Sequence, residues 1–211
     1  RIRFSTSNPR DITDAVLHVM AKYENLCKYI HLPVQAGNSV MLERMNRGYT
    51  REQYMQKIES IRRILPGAAI STDIICGFCG ETEEEHQDTL SLMKWSGFNF
   101  AYMYKYSERP GTAAAKKMPD DVAEEVKSRR LSEVVALQQE LSKAFTLTGL
   151  NKVHRVLIEG TSKKSQDMFY GRNSENSVVV FPKENRKPGE YVNVLATDCT
   201  VATLIGKIVN D

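Results

Sequence analysis

The sequence predicts an α/β domain followed by a small β-barrel, in a chain of 211 residues. Over the first two thirds, short strand-like runs alternate with helical patterns, which is typical of parallel βαβ units. After Gly149, five short strand-like runs follow one another with no helical pattern between them, which favours a small antiparallel five-stranded barrel. We therefore predict an α/β domain over residues 1–148 and a barrel over residues 149–211.

Four strands and five helices are expected in the α/β domain. The strands are predicted at residues 1–7, 28–37, 69–78 and 98–107. The helices are predicted at residues 11–23, 39–45, 50–65, 82–95 and 120–148. Two of the helices begin with a capping box, formed by Thr50 with Gln53 and by Thr82 with Glu85. Helical spacing in the first helix predicts an apolar face made by Ile12, Val16, Val19 and Met20.

One face of each strand in the α/β domain is polar or aromatic, because side chains alternate along a strand. The polar positions are Arg3, Ser5 and Ser7; His31 and Gln35; Ser71 and Asp73; and Tyr102, Tyr104 and Tyr106. Strands buried on both faces usually read as continuous apolar runs. The pattern therefore predicts a cavity for a polar small molecule, and a sheet with one solvated face is the alternative.

The stretch "AISTDIICGFCGETEEEH" holds Cys76 and Cys79 in a C-x-x-C frame. A redox pair of this kind sits at a helix N-terminus, whereas Cys76 ends a strand and four glutamates crowd nearby, which disfavours a thiolate. Cys27 and Cys199 lack the spacing that would complete a metal site. We interpret the cysteines as structural, with redox and metal roles as the less favoured alternatives. Gly77 and Gly80 flank a turn at the end of a strand, where glycine either lets the backbone approach a ligand or simply makes the turn.

The composition is that of a globular protein, with 41% hydrophobic and 26% charged residues. No run approaches the roughly 18 apolar residues that a membrane span needs. Four cysteines do not make a disulfide framework, so a reducing cytoplasm is expected. The net charge of +3 does not by itself indicate a nucleic acid partner. Because the first residue is Arg1 and lies in a predicted strand, we expect a fragment of a longer protein.

The predicted barrel mixes basic and aromatic residues. Its strands are expected at residues 152–160, 166–173, 177–182, 190–199 and 203–209. The mixed set comprises Lys163, Lys164, Phe169, Tyr170 and Arg172. Small barrels often hold single-stranded nucleic acid by stacking and phosphate contacts. An ordinary solvated surface over two core aromatic rings would give the same pattern.

Four motifs in order resemble the methylthiotransferases of the radical S-adenosylmethionine superfamily. They are "RIRFSTSNP", "HLPVQAGNSVMLERMNRGYTREQY", "STDIICGFCGETEEEHQDTL" and "YKYSERPGTAA", and the last sixty or so residues resemble that family's TRAM domain. The resemblance implies the last four strands of a six-stranded partial βα barrel, followed by an RNA-binding TRAM barrel. It also implies two [4Fe–4S] clusters in the full-length protein, whose C-x-x-x-C-x-x-C loop is absent here. We therefore expect no metal ligand in this chain and no activity from the chain alone.

The resemblance also implies a site, although it identifies no catalytic residue. S-adenosylmethionine is expected to contact Ser5, Thr6, Ser7, Gln35, Arg47, Asp73, Gly77 and Phe78. The substrate is expected to contact Tyr106, Ser107 and Arg109 at the site mouth, and Lys163, Lys164, Phe169, Tyr170 and Arg172 on the barrel. The family normally has proline where Cys79 stands.

The implied reaction is radical sulfur insertion and methylation at C2 of N6-isopentenyladenosine, next to the anticodon of tRNA. The implied partners are the tRNA anticodon stem-loop and an electron donor, in a cytoplasmic monomer that binds no membrane. Two alternatives stay open from sequence. One is methylthiolation of an aspartate in a ribosomal protein, and the other is an RNA-binding fragment without catalysis.

Overall fold

The computed structural model describes residues 1–3 and 8–209. The α/β domain contains α1 (Asp14–Lys22), β1 (Tyr29–His31), α2 (Ser39–Arg44), α3 (Arg51–Ile64), β2 (Ala69–Cys76), α4 (Glu83–Ser96), β3 (Phe100–Lys105), α5 (Ala113–Lys117) and α6 (Glu124–Leu147). The barrel contains β4 (Val153–Thr161), β5 (Met168–Arg172), β6 (Val178–Pro182), β7 (Tyr191–Cys199) and β8 (Thr203–Val209).

Three parallel strands form a sheet in the order β1, β2, β3. This confirms the predicted parallel βα arrangement. The β1–β2 pairing continues beyond β1 through a parallel bridge between Gln35 and Ile74. Of the predicted first strand, residues 4–7 lie outside the described residues, and Ile2 makes a parallel bridge to Leu26 just before β1.

Local capping fixes where the helices begin. Both predicted capping boxes are present, with Thr50 and Thr82 each accepting from the backbone of the residue three positions later. The predicted apolar face of α1 is only partly confirmed: Ile12 and Met20 are 3% and 1% exposed, whereas Val16 and Val19 are 40% and 49% exposed. The helix begins after Thr13 and turns Leu17, which was not predicted, to the core together with Met20.

The five barrel strands close in the order β4, β5, β6, β8, β7. The predicted five-stranded barrel is confirmed, but it is mixed rather than wholly antiparallel, because β6 and β8 run parallel. The other four pairings are antiparallel, with register shifts near Gly160 in β4 and near Ala196 in β7. The inward-facing residues form a core of their own, which includes Phe169 and Phe181.

Among the described residues, the helices cover one face of the parallel sheet, and the opposite face is exposed along β3. Ile30, Leu32 and Ile74 point into the core with the helices and are at most 1% exposed. On the opposite face, Tyr102 and Tyr104 are 47% and 54% exposed. The described residues therefore present a polar and aromatic face, and the enclosed cavity that the sequence predicts stays a prediction.

The barrel joins the α/β domain through backbone and hydroxyl contacts. The Lys28 amide donates to the Ser174 hydroxyl (2.9 Å), and the Thr146 hydroxyl donates to the Val201 carbonyl (2.9 Å). These contacts fix the barrel beside the N-terminal ends of β1 and β2. Within residues 1–3 and 8–209, no helix combines the length and apolar character needed to cross a membrane.

Candidate functional site

A continuous row of polar side chains in contact with one another runs along the sheet face opposite the helices. The Ser71 hydroxyl lies 2.6 Å from the Tyr29 hydroxyl and 2.8 Å from His31 Nδ1. His31 Nε2 lies 3.3 Å from Asp73 Oδ1, and Gln35 Nε2 donates to Asp73 Oδ2 at 3.4 Å. The buried end of this row, at Ser71 and His31, is 0% and 8% exposed. The arrangement orients the Asp73 carboxylate while leaving it partly open to a ligand.

Aromatic rings continue this face on β3. The His31 and Tyr102 rings meet edge to face with centroids 5.7 Å apart, and Phe100 packs on Tyr102 at 4.9 Å. Exposed aromatic rings beside a carboxylate suit a nucleoside, whose base stacks and whose ribose donates hydrogen bonds. The face therefore has the chemistry of a nucleoside-binding surface.

Gln35 adopts a backbone conformation that is unusual for a residue with a side chain. Its φ is +77°, in the left-handed region, which costs on the order of 1–3 kcal/mol. Two hydrogen bonds to β2 hold it there: its amide donates to the Asp73 carbonyl, and the Ile75 amide donates to its carbonyl, each at 2.9 Å. In this conformation the side-chain amide of Gln35 also lies within hydrogen-bonding distance of the Asp73 carboxylate.

Arg47 lies beside the segment that follows β1 and donates a hydrogen bond to its main chain at Pro33. Its guanidinium donates to the Pro33 carbonyl (3.2 Å) and the Tyr49 hydroxyl (3.1 Å). The Tyr49 hydroxyl contacts the Pro33 and Val34 carbonyls, each at 3.1 Å, and burial raises the pKa of Tyr49. Arg47 thus has a structural partner, and its contact with the cofactor stays a prediction.

Side chains of α6 pack against the turn that follows β2 and hold it in place. The Gly77 amide donates to Glu81 Oε2 (2.7 Å), which also accepts from Arg130 (2.9 Å). Gly77 has φ +74°, and a Cβ there would lie 2.3 Å from Lys127 Cγ, so both backbone and packing require glycine. The Gly77 N–H is committed to Glu81 in this arrangement, so any ligand contact at the turn involves other groups.

Phe78 and Tyr106 pack together where β2 and β3 end. Their rings meet edge to face with centroids 4.9 Å apart, and Phe78 is 8% exposed. The buried Tyr106 hydroxyl has no hydrogen-bond partner within the described part of the chain. Burial raises the pKa of Tyr106 to about 12, so its hydroxyl keeps a proton that a ligand atom could accept. The predicted positions Ser107 and Arg109 are exposed in the following loop.

The cysteines are placed as structural residues. Cys27, Cys76 and Cys79 are at most 3% exposed, and Cys199 is half-buried. Burial, with the nearby Glu81 carboxylate, raises the pKa of Cys76 to about 12, which keeps the thiol protonated and unreactive at neutral pH. The absence of metal ligands in the full chain stays a prediction.

One group of potential metal ligands occurs within the described residues, namely Glu83, His86 and Glu133. Arg129 donates to both carboxylates, at 2.5 Å to Glu83 and 2.7 Å to Glu133. This pairing lowers the pKa of Glu83 to about 2. The guanidinium supplies the positive charge that a metal would bring, and the cluster links α4 to α6.

Thiol labelling tests the structural role of the cysteines. With iodoacetamide at pH 7.5, we expect Cys199 to be alkylated and Cys27, Cys76 and Cys79 to stay unmodified in the native protein. Peptide mass mapping gives the modified sites, and unfolding in guanidinium chloride before labelling should expose all four thiols as the control. Rapid labelling of Cys76 in the native state would indicate a reactive thiol.

The barrel residues that were predicted to bind RNA differ in how far they are exposed. Lys163 and Lys164 are exposed in the turn after β4, and Tyr170 is half-buried. Phe169 corrects the prediction, because it is 6% exposed in the barrel core and its ring cannot stack on a base. Arg172 forms an ion pair with Glu159, which reduces its charge toward RNA.

Some residues at the site were not predicted, and some predicted ones lie outside the described residues. Ser5, Thr6 and Ser7 fall in the undescribed segment. Tyr29 follows from the same alternation that identifies His31, so the sequence could have indicated it. The pairing of Glu81 with Arg130 joins residues 49 positions apart and has no local sequence signal.

Comparison with known protein families identifies a domain type for each part of the chain. Residues 1–93 match the family described as Radical SAM superfamily, and residues 150–209 match the TRAM domain. Over 209 residues, 99% of this chain, the sequence is 57% identical to the tRNA-2-methylthio-N(6)-dimethylallyladenosine synthases of Flavobacterium johnsoniae and Amoebophilus asiaticus. The chain spans 44% and 43% of the length of these two relatives.

A solved structure shares the fold at low identity. Coproporphyrinogen III oxidase (HemN) from Escherichia coli, a radical SAM enzyme, superposes with a TM-score of 0.52 and 21% sequence identity. The superposition covers 79% of this chain and 45% of that chain. At this identity the likeness concerns the fold alone.

Proposed function

The chain belongs to the radical S-adenosylmethionine methylthiotransferase family, and on that premise we propose that the full-length protein methylthiolates adenosine in tRNA. The proposed acceptor is C2 of N6-isopentenyladenosine next to the anticodon. The observation that carries the proposal is the polar and aromatic sheet face, where Asp73 and exposed tyrosines suit a nucleoside. Since the relatives are more than twice as long, activity is proposed for the full-length protein and not for these 211 residues.

The residues of the sheet face fit S-adenosylmethionine. The Asp73 carboxylate has lone pairs beyond those used by His31 and Gln35, so it can accept from ribose hydroxyls. The unpartnered Tyr106 hydroxyl can donate to a polar atom of either ligand. When bound, S-adenosylmethionine supplies the methyl group and the radical chemistry of this family.

The described cysteines do not fit an iron–sulfur cluster, because the single group of at least three possible ligands found there contains no cysteine. We therefore assign no step to a cluster within this chain. The two [4Fe–4S] clusters, and the electron donor that would reduce one of them, are proposed for the full-length protein.

The chain's own residues would bind and orient the two ligands. His31 and Gln35 hold the Asp73 carboxylate toward the ribose, and the Tyr102 and Tyr104 rings offer stacking surface to a base. Ser107 and Arg109, exposed on the loop after β3, lie where the substrate would enter. Catalysis by a protein acid or base is not assigned to any of them.

The barrel is proposed to bind the tRNA anticodon stem-loop. We propose residues 1–148 as the radical-SAM portion and residues 149–211 as the RNA-binding portion. Lys163 and Lys164, exposed on one turn, are suited to phosphate contacts, and Tyr170 offers part of its ring. A tRNA substrate also implies a cytoplasmic enzyme, which we propose to act as a monomer.

Nucleoside mass spectrometry tests the proposal. We expect tRNA from a strain lacking the gene to lose 2-methylthio-N6-isopentenyladenosine and to accumulate N6-isopentenyladenosine. Complementation with the full-length gene should restore the modification. If tRNA were unchanged and a ribosomal protein lost a methylthio group instead, the protein-modifying alternative would replace this proposal.

A further inference from the structure

Two neighbouring cavities on the barrel share two residues, Arg155 and Tyr191. The larger, of about 850 Å³, lies between the barrel and the α/β domain and is also lined by Arg1 and Lys152. The smaller, of about 500 Å³, lies on the barrel and is also lined by Arg186. We call the surface formed by Arg1, Lys152, Arg155, Arg186 and Tyr191 the basic groove.

Guanidinium groups are gathered around one exposed aromatic ring in the basic groove. The Arg1 and Arg155 guanidinium carbons lie 5.0 and 4.9 Å from the Tyr191 ring centroid. Arg1 also donates to the main-chain carbonyls of Arg155 (2.9 Å) and Arg172. These contacts order the arginines without neutralising them, because a ring and a carbonyl carry no net charge.

The basic groove carries charge that the described residues leave unpaired. No described carboxylate forms an ion pair with Arg1, Arg155 or Arg186, whereas Arg172 is paired with Glu159. Arg155 and Arg186 are exposed, and none of the described residues that line the smaller cavity is acidic. Two glutamates, Glu24 and Glu175, line the larger one. Ordered, unpaired guanidinium groups in a concave surface are the arrangement that binds phosphate bidentately.

We propose that the basic groove binds the phosphate backbone of an RNA stem. The inference rests on the proposed function and extends it, since it places a tRNA contact away from the Lys163–Lys164 turn. Arg155 lies near the start of β4 and that turn follows the end of the strand, about 20 Å from Arg155 along β4. An RNA stem can span such a distance, so the two surfaces would contact different parts of one tRNA.

The salt dependence of tRNA affinity in the full-length enzyme tests the basic groove. For an unmodified tRNA transcript, the double variant Arg155→Ala, Arg186→Ala should flatten the slope of log affinity against log salt by about 1.4–1.8, since each phosphate contact contributes about 0.7–0.9. The conservative variant Arg155→Lys, Arg186→Lys keeps both charges and should keep the slope. If the alanine variant does not fold properly, the lysine variant still tests whether the two positive charges are enough to keep the slope.

A matched control removes two exposed charges from the helical surface, in the variant Arg63→Ala, Lys94→Ala. Its slope should equal that of the wild type. An unchanged slope in the folded Arg155→Ala, Arg186→Ala variant would overturn the basic groove while leaving tRNA as the substrate. A full-length enzyme that binds no tRNA at any salt concentration would instead count against the proposed function.

Discussion

Replacing Arg130 with alanine is expected to lower the free energy of unfolding by about 3–5 kcal/mol. The Arg130 and Glu81 side chains are only 5% and 2% exposed, and their ion pair is 2.9 Å long. Arg130 also donates to the Glu81 carbonyl, and Glu81 accepts from the Gly77 amide. Removing the guanidinium leaves a carboxylate buried without its charged partner, and burial already raises the pKa of Glu81.

The neighbouring residue gives a matched control for this prediction. Arg129 lies on the same helix and pairs with Glu83 and Glu133, but its side chain is 46% exposed. An exposed ion pair contributes about 0–1 kcal/mol, so Arg129→Ala should have a small effect. Urea unfolding followed by the fluorescence of Trp95, the one tryptophan of the chain, measures both variants. Equal losses of stability in the two variants would contradict the prediction, because they would show that the buried ion pair stabilises the fold no more than the exposed one.

This buried pair matters for the site because it fixes the turn that ends β2. Gly77 is held through Glu81, and the side chain of Lys127 packs against Gly77 from α6. A helix more than forty residues later in the chain therefore sets the shape of the turn beneath the proposed cofactor.

Local patterns predicted the parts of the fold that depend on neighbouring residues. The capping boxes at Thr50 and Thr82 depend on contacts three residues apart, and both are present. The face of α1 was predicted only in part, because Ile12 and Met20 are buried whereas Val16 and Val19 are exposed. Ile12 precedes the Thr13 cap and packs in the same core as Leu17, and these two residues occupy the positions of a hydrophobic staple.

Non-local pairings could not be read from the sequence. The parallel pairing of β6 with β8 depends on how the barrel closes, which no local pattern specifies. Phe169 and Tyr170 were both expected to contact RNA, but neighbouring residues of a strand point to opposite faces, and Phe169 turns to the core. The same limit applies at the site: alternation predicted that His31 and Asp73 share a face, but not their 3.3 Å contact or the left-handed backbone of Gln35.

The second large effect is expected at Asp73. We predict that Asp73→Asn raises the Kd for S-adenosylmethionine by roughly 10- to 100-fold in the full-length enzyme, because a hydrogen bond to a charged group contributes about 1.5–3 kcal/mol. The substitution preserves the size of the side chain, so His31 and Gln35 keep a neighbour of the same shape. Asp14→Asn is the matched control, since Asp14 is an exposed aspartate on α1 that pairs with Arg63.

Equilibrium dialysis of S-adenosylmethionine against the anaerobically reconstituted full-length enzyme tests most directly whether the sheet face is the cofactor site. The measurement compares the wild type with the Asp73→Asn and Asp14→Asn variants, after each has been shown to unfold at a similar urea concentration. We predict that Asp73→Asn weakens binding at least tenfold and that Asp14→Asn binds like the wild type. An Asp73→Asn variant that binds S-adenosylmethionine as tightly as the wild type would contradict the assignment of this face.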